Sequence, residues 1–360
     1  MKVRAISGFG VKGPACFVVE VGGLRLLVDC GRGPDFDTPP DLSGLGVIDA
    51  VLISHAHRDH AGALDLLEAA DRPPVYASDL TAQLAGFVPD HLLPLDGTLD
   101  ISGIEILAGR AGHAPGGVWL RIGGAGGLLY TGDFSNEGAL FSPTPWPRAQ
   151  ALIFDASYGA YDKDVAGAIS AIGDIARIGP VLLPAPAAGR GLEMAVELHR
   201  AGHEVRLCPV HRTVAATVLE RDVELAPQAR DALAGLLAET RELRVDAAPS
   251  GVMIAAKADG GGGLARRLVD AWADRREVAI VFTGHLSAGT PAPDLVTSGR
   301  ARFIRWNVHP RLDDIETLLV AVAPEAAMPA FLPIGQMPEF VAALPDAPLV
   351  LSPELQLSRR

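Results

Sequence analysis

The chain has few of the residues that mark several common protein classes. Cysteine occurs only three times in 360 residues, as Cys16, Cys30 and Cys208. That odd number and wide spacing exclude a disulfide framework and a zinc ribbon, and favour a reducing, cytoplasmic compartment. The most apolar long window, LLVAVAPEAAMPAFLPI, contains Glu325 and three prolines. The N-terminal segment also lacks the apolar stretch of a signal peptide, so we expect no membrane span.

Positive charge is also scarce. The formal net charge is −12, and lysine occurs only at positions 2, 12, 163 and 257. This balance argues against a surface covered with nucleic acid, although a local basic cleft remains compatible with it. A hydrophobic content of 49% with 5% aromatics is typical of a folded protein. A chain of this length can form one large domain or two.

Apolar runs separated by glycines dominate the first part of the chain. ACFVVEVGGLRLLVDCG predicts a β-hairpin that turns at Gly22 and Gly23, and VIDAVLIS predicts a further strand. GIEILAG, GGVWLRIG, GLLYTGD and ALIFDASYG predict four more strands. From about Val165 short apolar strands alternate with helical patterns, which indicates a separate α/β lobe. A helix, RLDDIETLLVAVA, and a strand, MPAFLPI, follow after Thr297.

The segment SHAHRDHAGAL places three histidines and an aspartate at the end of a predicted buried strand. Residues i and i+2 of an extended segment project to one side, so His55 and His57 can bind one ion together. Asp59 and His60, where a helix begins, can face a second ion. A solvated loop with chance histidines is the alternative, but the H-x-H-x-D-H spacing favours metal binding.

Two later residues can complete such a centre. His113, in AGHAPGG, precedes a predicted strand, and Asp133 ends LLYTGD. Taken alone, each is more typical of a turn or a strand end. In this order after the histidine cluster, His113 completes the first ion's shell, and Asp133 can bridge both ions. We therefore expect two divalent metal ions, with zinc as the expected element.

These motifs resemble those of the metallo-β-lactamase fold and, within it, of the β-CASP nucleases. This family includes the mRNA 3′-end cleavage nuclease, ribonuclease J and the Artemis-like DNA nucleases. The resemblance implies an α/β fold, an αββα sandwich with an inserted α/β domain. We expect residues 1–160 and 297–360 to form the metallo-β-lactamase domain, and residues 161–296 to form a shortened β-CASP-like insert. The motifs that carry the resemblance are LLVDCG, SHAHRDHAGAL, AGHAPGG, LLYTGDFS, LIFDASYG, PAPAAGRGLEMAVEL and TGHLSAGTPA.

The resemblance also implies roles for three residues outside the ligand set. Asp29 corresponds to the aspartate of the first motif, which supports the metal loop without binding metal. Asp155 and His309 correspond to an acidic residue and a histidine that lie together, with the histidine placed to protonate the leaving oxygen. A helix cap at Asp155 and a surface turn at His309 are the alternatives. We expect catalytic roles for Asp59, Asp155 and His309.

One position departs from the family pattern. RNA-processing members have a further histidine in the last apolar strand, where Ile334 stands here. This departure implies a weaker second metal site and resembles the Artemis-like DNA branch. The residues of LLYTGDFS instead resemble those of the RNA branch, so the two observations disagree.

The sequence also suggests residues that contact substrate. TSGRARFIRWNVHPR holds four arginines and no acidic residue, so Arg305 could contact a phosphate backbone and Trp306 could stack on a base. The alternative is an edge strand whose arginines face water while Phe303 and Trp306 pack inward. Arg190 and Thr290 stand at glycine-rich helix starts, which can bind phosphate.

We interpret the chain as a metal-dependent nuclease that hydrolyses phosphodiester bonds in single-stranded nucleic acid, with RNA slightly favoured over DNA. The expected nucleophile is a metal-bridged hydroxide, and the expected general acid is His309. A small-molecule hydrolase of the same fold, acting on a lactone or thioester, is an alternative. A pseudonuclease that only scaffolds a complex is another, but such members typically lose metal ligands.

Overall fold

The structure is a computed structural model that describes residues 1–221 and 225–357. The chain divides into two compact units. The first contains Met1–Asn136, Pro143–Asp162 and the chain from His309 onward, and the second contains Glu137–Ser142 and Lys163–Val308. The second unit thus extends to Val308, and the predicted insert covers residues 161–296. It also includes a short segment, Glu137–Ser142, that precedes the main part of the unit, Lys163–Val308, in the sequence.

The described residues form nineteen strands, numbered here in chain order. They are β1 (Lys2–Ser7), β2 (Cys16–Val21), β3 (Leu24–Val28), β4 (Ala50–Leu52), β5 (Val75–Ala77), β6 (His91–Leu92), β7 (Gly97–Ile101), β8 (Ile104–Arg110), β9 (Val118–Ile122), β10 (Leu128–Tyr130), β11 (Ala151–Asp155), β12 (Val181–Pro184), β13 (Val205–Leu207), β14 (Arg241–Glu242), β15 (Val252–Ala255), β16 (Ala279–Phe282), β17 (Arg302–Phe303), β18 (Ala326–Ala330) and β19 (Glu354–Gln356).

The same ranges contain ten α-helices and two short 3-10 helices. The α-helices are α1 (Arg58–Ala61), α2 (Asp79–Ala85), α3 (Ala166–Ile178), α4 (Arg190–Arg200), α5 (Pro209–Leu219), α6 (Ala229–Glu239), α7 (Gly263–Trp272), α8 (Pro291–Thr297), α9 (Leu312–Val322) and α10 (Met337–Ala343). The 3-10 helices are Leu64–Ala70 and Ile334–Gln336. Across residues 1–221 and 225–357, no helix combines the length and the apolar character that crossing a membrane requires.

Two sheets form the centre of the first unit. One has the strand order β19-β1-β2-β3-β4-β5-β6, and the other has the order β18-β11-β10-β9-β8-β7. The predicted hairpin is confirmed, because β2 and β3 pair antiparallel with Phe17 opposite Val28. Gly22 and Gly23 at its turn have φ angles of 58° and 89°, a region that glycine adopts without strain.

The two sheets pack face to face through alternate residues of their strands. Phe17 and Val19 of β2 share one buried cluster with Leu120 and Ile122 of β9 and with Tyr130 of β10. Because successive side chains of a strand point to opposite faces, the remaining positions must be covered from outside.

Helices cover both outer faces of this pair of sheets. On the first sheet Val51 and Ile53 pack with Leu67 and with Ala82 of α2. On the second sheet, strands β10 and β11 pack against α9 and α10 in a cluster that includes Leu129, Phe154, Ile315, Leu318 and Phe340. The predicted helix–sheet–sheet–helix sandwich is therefore confirmed.

The second unit is built on a parallel sheet with the order β14-β13-β15-β12-β16-β17. Strands β12 and β15 are buried along their whole length, as expected when helices cover both faces of a parallel sheet. Leu268, Val269 and Trp272 of α7 belong to the same buried cluster as Leu182 of β12 and Met253 of β15. This is the α/β pattern predicted for the chain after Val165.

The predicted site residues follow strand ends of the first unit. Asp29 follows β3 and His55 follows β4, and these two strands pair in parallel. Asp133 follows β10 and Asp155 ends β11, which also pair in parallel. Because parallel strands end at the same edge of a sheet, each pair of residues is delivered to one edge. His113 lies in the loop from β8 to β9.

Candidate metal centre

The segment after β4 stays extended before it becomes helical. His57 is the residue that precedes α1. Its φ of −66° and ψ of 149° are extended, so His55 and His57 project from an extended segment. His60 lies inside α1 and is buried, as is His55. The local conformation is therefore the one that the H-x-H-x-D-H spacing predicts.

Three imidazoles meet at one point. His55 Nε2 lies 3.1 Å from His57 Nδ1, and His113 Nε2 lies 3.0 Å from the same His57 nitrogen. A ring nitrogen carries either one hydrogen or one lone pair, so His57 Nδ1 cannot form a good hydrogen bond with both neighbours. Three ring nitrogens directed at each other instead fit a cation between them.

Distances within this group agree with tetrahedral coordination. Zinc bonds of about 2.0–2.1 Å at tetrahedral angles place neighbouring donor atoms about 3.3 Å apart. The nitrogens lie 3.0 and 3.1 Å apart, and Asp133 Oδ2 lies 3.5 Å from His113 Nε2 and 3.8 Å from His55 Nε2. His55, His57, His113 and Asp133 thus have the donor types and spacing of a four-ligand site.

Asp133 also faces a second group of ligand atoms. Asp59, His60 and Asp133 each offer one ligand atom, and these atoms lie within 4.8 Å of one another. Asp133 Oδ1 lies 3.2 Å from His60 Nε2, whereas Oδ2 is directed at His55 and His113. Buried Oδ1 receives no well-angled hydrogen bond from the described residues, which leaves its lone pairs available to a cation.

Asp29 is fully buried behind His60 and holds it from the side opposite Asp133. Its Oδ2 lies 2.7 Å from His60 Nδ1 and accepts hydrogen bonds from the Tyr130 hydroxyl at 2.6 Å and the Ser54 hydroxyl at 2.7 Å. Its Oδ1 accepts the Ser54 amide at 2.7 Å. These contacts orient a histidine without placing Asp29 among the ligand atoms, as expected for a residue that supports the loop.

Asp155 and His309 form a hydrogen-bonded pair beside the cluster. His309 Nδ1 lies 2.7 Å from Asp155 Oδ2 and 3.6 Å from Asp133 Oδ2. Asp155 is fully buried, and its Oδ1 accepts the amide of Ser157 at 2.9 Å. The rings of His309 and Tyr158 contact edge to face at 5.1 Å. The structure thus brings together two residues that are 154 positions apart in the sequence.

Burial and neighbouring charged groups shift the pKa values of His55, His60 and Asp133. Burial and the neighbouring imidazoles of His60 and His57 hold the pKa of His55 well below 6.5, so this ring is neutral and can donate a lone pair. Burial opposes ionisation of Asp133, but His60 and His309 outweigh it and hold the pKa of Asp133 well below its usual range. Burial likewise opposes protonation of His60, but the carboxylates of Asp133 and Asp29 raise its pKa. A cation at His60 Nε2 would therefore displace a proton.

The predicted substrate contacts lie in the second unit and are less accessible than the sequence suggests. Trp306 is only 2% exposed, which corrects the stacking role, because a buried indole offers no open face to a base. Phe303, expected to pack inward in the alternative interpretation, is 40% exposed. Arg190 is buried, and a β-carbon at Gly284 would overlap its guanidinium. Thr290 Oγ1 donates to the carbonyl of Ser287, while Arg305 is half-buried.

Ile334, the position that departs from the family pattern, begins the 3-10 helix after β18. Its side chain is 67% exposed, and its amide donates to the carbonyl of Gly10. An aliphatic side chain supplies no ligand atom, so the second group keeps Asp59, His60 and Asp133 as its donors.

Sequence reasoning missed three residues of this region. Ser54 and Tyr130 bind Asp29, and Lys12 binds Ser157 near Asp155. Ser54 directly precedes His55, so its position was a usable signal. Nothing local marks Tyr130 or Lys12, because their partners are 101 and 145 residues away.

Comparison with known proteins shows which family part of the chain is similar to. The model of the metallo-beta-lactamase superfamily matches residues 9–171. That range contains each of the predicted ligands of the two groups. Residues 9–171 are therefore similar to the metallo-beta-lactamase superfamily, as the motifs predicted.

Curated relatives place the chain more closely. A transcription termination factor FttA from Cenarchaeum symbiosum is 30% identical over 263 residues, which cover 58% of this chain and 41% of that protein. Ribonuclease TTHA0252 from Thermus thermophilus is 29% identical over 227 residues, 53% of each. Endoribonuclease ysh1 from Aspergillus fumigatus is 25% identical over 371 residues, 81% of this chain and 42% of that protein. These relatives confirm the resemblance to the β-CASP nucleases that the motifs predicted.

The chain spans about half the length of the curated relatives that it matches. A solved structure of a protein of unknown function from Enterococcus faecalis V583 has a TM-score of 0.57 at 15% identity. The match covers 92% of this chain and 94% of that one. At this identity the likeness shows a shared fold alone.

Proposed function

We propose that this chain is a metal-dependent nuclease that hydrolyses phosphodiester bonds. The observation that carries the proposal is the position of the Asp155–His309 pair. His309 Nδ1 lies 3.6 Å from Asp133 Oδ2, so an acid–base imidazole adjoins the group of metal-type ligands. Cleavage of a phosphodiester leaves a sugar oxygen that needs a proton, whereas hydrolysis of a small activated ester does not depend on such an acid.

Two divalent cations are proposed for the two ligand groups that share Asp133. His55, His57 and His113 would hold the first, and Asp59 with His60 would hold the second. Zinc is the proposed element because imidazole and carboxylate donors at tetrahedral spacing suit it. When bound, such ions lower the pKa of water and offset negative charge on phosphate oxygens.

The protein's own residues would then supply the proton that the leaving oxygen needs. Asp155 Oδ2 accepts the Nδ1 hydrogen of His309, which leaves Nε2 as the nitrogen that protonates the leaving oxygen. The buried carboxylate of Asp155 fixes the orientation of the ring. Asp29 keeps His60 directed at Asp133 through its 2.7 Å contact with Nδ1.

RNA is the proposed polymer, in single-stranded form. Two of the relatives are named as ribonucleases, one from Thermus thermophilus and one from Aspergillus fumigatus. The second unit, Glu137–Ser142 with Lys163–Val308, is proposed to correspond to the family's inserted domain. Arg190, Thr290 and Arg305 are proposed as its phosphate contacts; Arg190 is buried, and Thr290 and Arg305 are half-buried.

Digestion of labelled polymers tests the proposal. Single-stranded RNA and DNA, labelled at the 5′ or the 3′ end, are incubated with the wild type and with Asp133→Ala. The metal content of both proteins is measured. Asp174→Ala, at an exposed position of α3, serves as the matched control. We expect cleavage of RNA by the wild type and the control, and loss of both metal and cleavage in Asp133→Ala. Cleavage that survives this substitution, or activity confined to a lactone or thioester, would overturn the proposal.

A further inference from the structure

One of the four lysines of the chain lies beside the metal centre. Lys12 is in the loop between β1 and β2, which packs next to Asp59. The amide of Ala15 donates to the carbonyl of Asp59 at 2.8 Å, and a β-carbon at Gly13 would lie 3.6 Å from Cβ of Asp59. The loop that carries Lys12 is therefore in direct contact with one of the metal-type residues.

The side chain of Lys12 forms a hydrogen bond to a residue that contacts Asp155. Its Nζ donates a hydrogen bond of 2.7 Å to Ser157 Oγ, and the amide of Ser157 donates to Asp155 Oδ1 at 2.9 Å. Asp155 in turn lies 2.7 Å from His309 Nδ1. Lys12 thus belongs to the loop that contacts Asp59, and its ammonium group is linked through Ser157 and Asp155 to His309. All of these residues belong to the first unit.

Lys12 keeps hydrogen-bonding capacity that the protein does not use. An ammonium group has three N–H donors, and Ser157 Oγ accepts one of them. Among residues 1–221 and 225–357, no carboxylate lies within ion-pair distance of Lys12 Nζ and no second hydrogen bond is formed. Lys2, in contrast, is paired with Glu354 at 3.3 Å. A half-buried cation without an acidic partner is suited to an anionic ligand.

We propose that Lys12 and Ser157 form a subsite for a backbone phosphate of the polynucleotide, next to the phosphodiester that is cut. The inference rests on the proposed nuclease function and adds a substrate contact to it. Lys12 Nζ supplies a charge and two N–H donors, and the Ser157 hydroxyl holds the ammonium in place. The bound group is a phosphate, either an internal diester or a terminal monoester, and we assign the internal diester.

The test measures kcat/KM for cleavage of a labelled oligoribonucleotide at several salt concentrations. The proteins are the wild type, Lys12→Met, Lys12→Arg and Ser157→Ala, with Lys2→Met as the matched control. We expect Lys12→Met to lower kcat/KM by about 10- to 100-fold, mainly through KM, because a charged hydrogen bond is lost. The salt dependence should also fall by about 0.7 in logarithmic slope, the value for one phosphate contact on a single strand. Lys12→Arg should retain that slope, and Lys2→Met should match the wild type.

Oligonucleotides with a single neutral methylphosphonate linkage distinguish the two phosphate sources. The neutral linkage next to the cut should lower cleavage by the wild type, but should have little further effect on Lys12→Met. If the effect of Lys12→Met instead depends on a 5′-phosphate, the assignment to an internal linkage is wrong. Ser157→Ala, expected to raise KM less than Lys12→Met, keeps the test valid if Lys12→Met folds poorly.

Failure of the inference differs from failure of the proposed function. A wild type that cuts RNA while Lys12→Met has the same KM and salt slope overturns the subsite and leaves the nuclease function intact. A wild type that cuts neither RNA nor DNA overturns both.

Discussion

His60 Nδ1 lies 2.7 Å from Asp29 Oδ2, and this contact decides which nitrogen of His60 faces the metal-type ligands. With Nδ1 held by Asp29, Nε2 is the nitrogen that lies 3.2 Å from Asp133 Oδ1. Asp29 itself is fixed by Tyr130 and by both the amide and the hydroxyl of Ser54. A rigid carboxylate behind a histidine sets the ring orientation and raises the basicity of the nitrogen that binds metal.

Asp29→Asn is therefore expected to weaken metal binding without removing a ligand. An amide has one oxygen and cannot accept the donors that now meet at two carboxylate oxygens, so His60 loses its orientation. We expect a loss of about 10- to 100-fold in metal affinity, measured by competition with a coloured chelator. Tyr130→Phe is the matched control, because it removes one hydrogen bond to the same carboxylate and should cost about 1 kcal/mol of unfolding free energy. Equal metal affinity in Asp29→Asn and the wild type would show that Asp29 has no such role.

His309→Gln is expected to separate catalysis from metal binding. His309 contacts Asp155 and lies 3.6 Å from Asp133, but the proposed metal ligands remain complete without it. We expect kcat for RNA cleavage to fall by about 10²- to 10⁴-fold, the usual contribution of a general acid, while the metal content stays unchanged. Asp155→Asn should lower kcat in the same direction. Loss of metal in His309→Gln would instead make this residue a ligand.

The metal-type cluster could be predicted because its pattern is local. His55, His57, Asp59 and His60 fall within six positions, and their geometry follows from an extended segment that leads into a helix. The support around them could not be predicted, because Tyr130 is 101 residues from Asp29 in the sequence. Such a contact depends on how two sheets stack, which periodicity does not determine.

The boundaries of the two units also depend on contacts that sequence patterns do not determine. The pattern of strands and helices, together with the family resemblance, predicts the return of the chain near Thr297, and the second compact unit extends to Val308. Asn307 is held inside that unit, because its side-chain amide donates to Glu137 and to the carbonyl of Lys163 at 2.7 Å each. The inward packing of Trp306 has the same origin, since its amide donates to the carbonyl of Thr283 beyond strand β16. Long-range hydrogen bonds rather than local pattern set these positions.

Removal of metal is expected to lower the stability of the protein. A ligand that binds only the folded state adds stability that grows with its concentration, about 2.7 kcal/mol at one hundred times its Kd. We therefore expect zinc to raise the Tm of chelator-treated wild type in a concentration-dependent manner, measured by scanning calorimetry. The ligands come from three separated loops, so the unfolded chain should bind zinc less tightly. Asp133→Ala should show little or no zinc-dependent shift, and a shift equal to that of the wild type would place the stabilising ion elsewhere.

Glu193 gives the second unit a pH-dependent stability that is independent of the metal centre. This residue of α4 is buried, and its carboxylate accepts the amides of Ala139, Leu140 and Phe141 at 2.7 to 3.3 Å. Burial raises the pKa of Glu193 from 4.5 to about 7, although these hydrogen bonds oppose the shift. Between pH 4.5 and 7 the folded carboxyl therefore holds a proton that the unfolded chain has released. The unfolding free energy contributed by this group is complete below pH 4.5 and is lost as the pH rises to about 7.

Glu193→Gln removes that titration and makes the effect measurable. Urea unfolding at pH 4.5 to 8 should show that the wild type, relative to Glu193→Gln, loses up to about 3 kcal/mol of unfolding free energy across the window. Glu220→Gln, at an exposed position of the same unit, should follow the pH profile of the wild type. A constant difference between wild type and Glu193→Gln at each pH would mean that the folded carboxyl titrates like that of the unfolded chain. In that case the three amide hydrogen bonds, and not burial, would control the ionisation of Glu193.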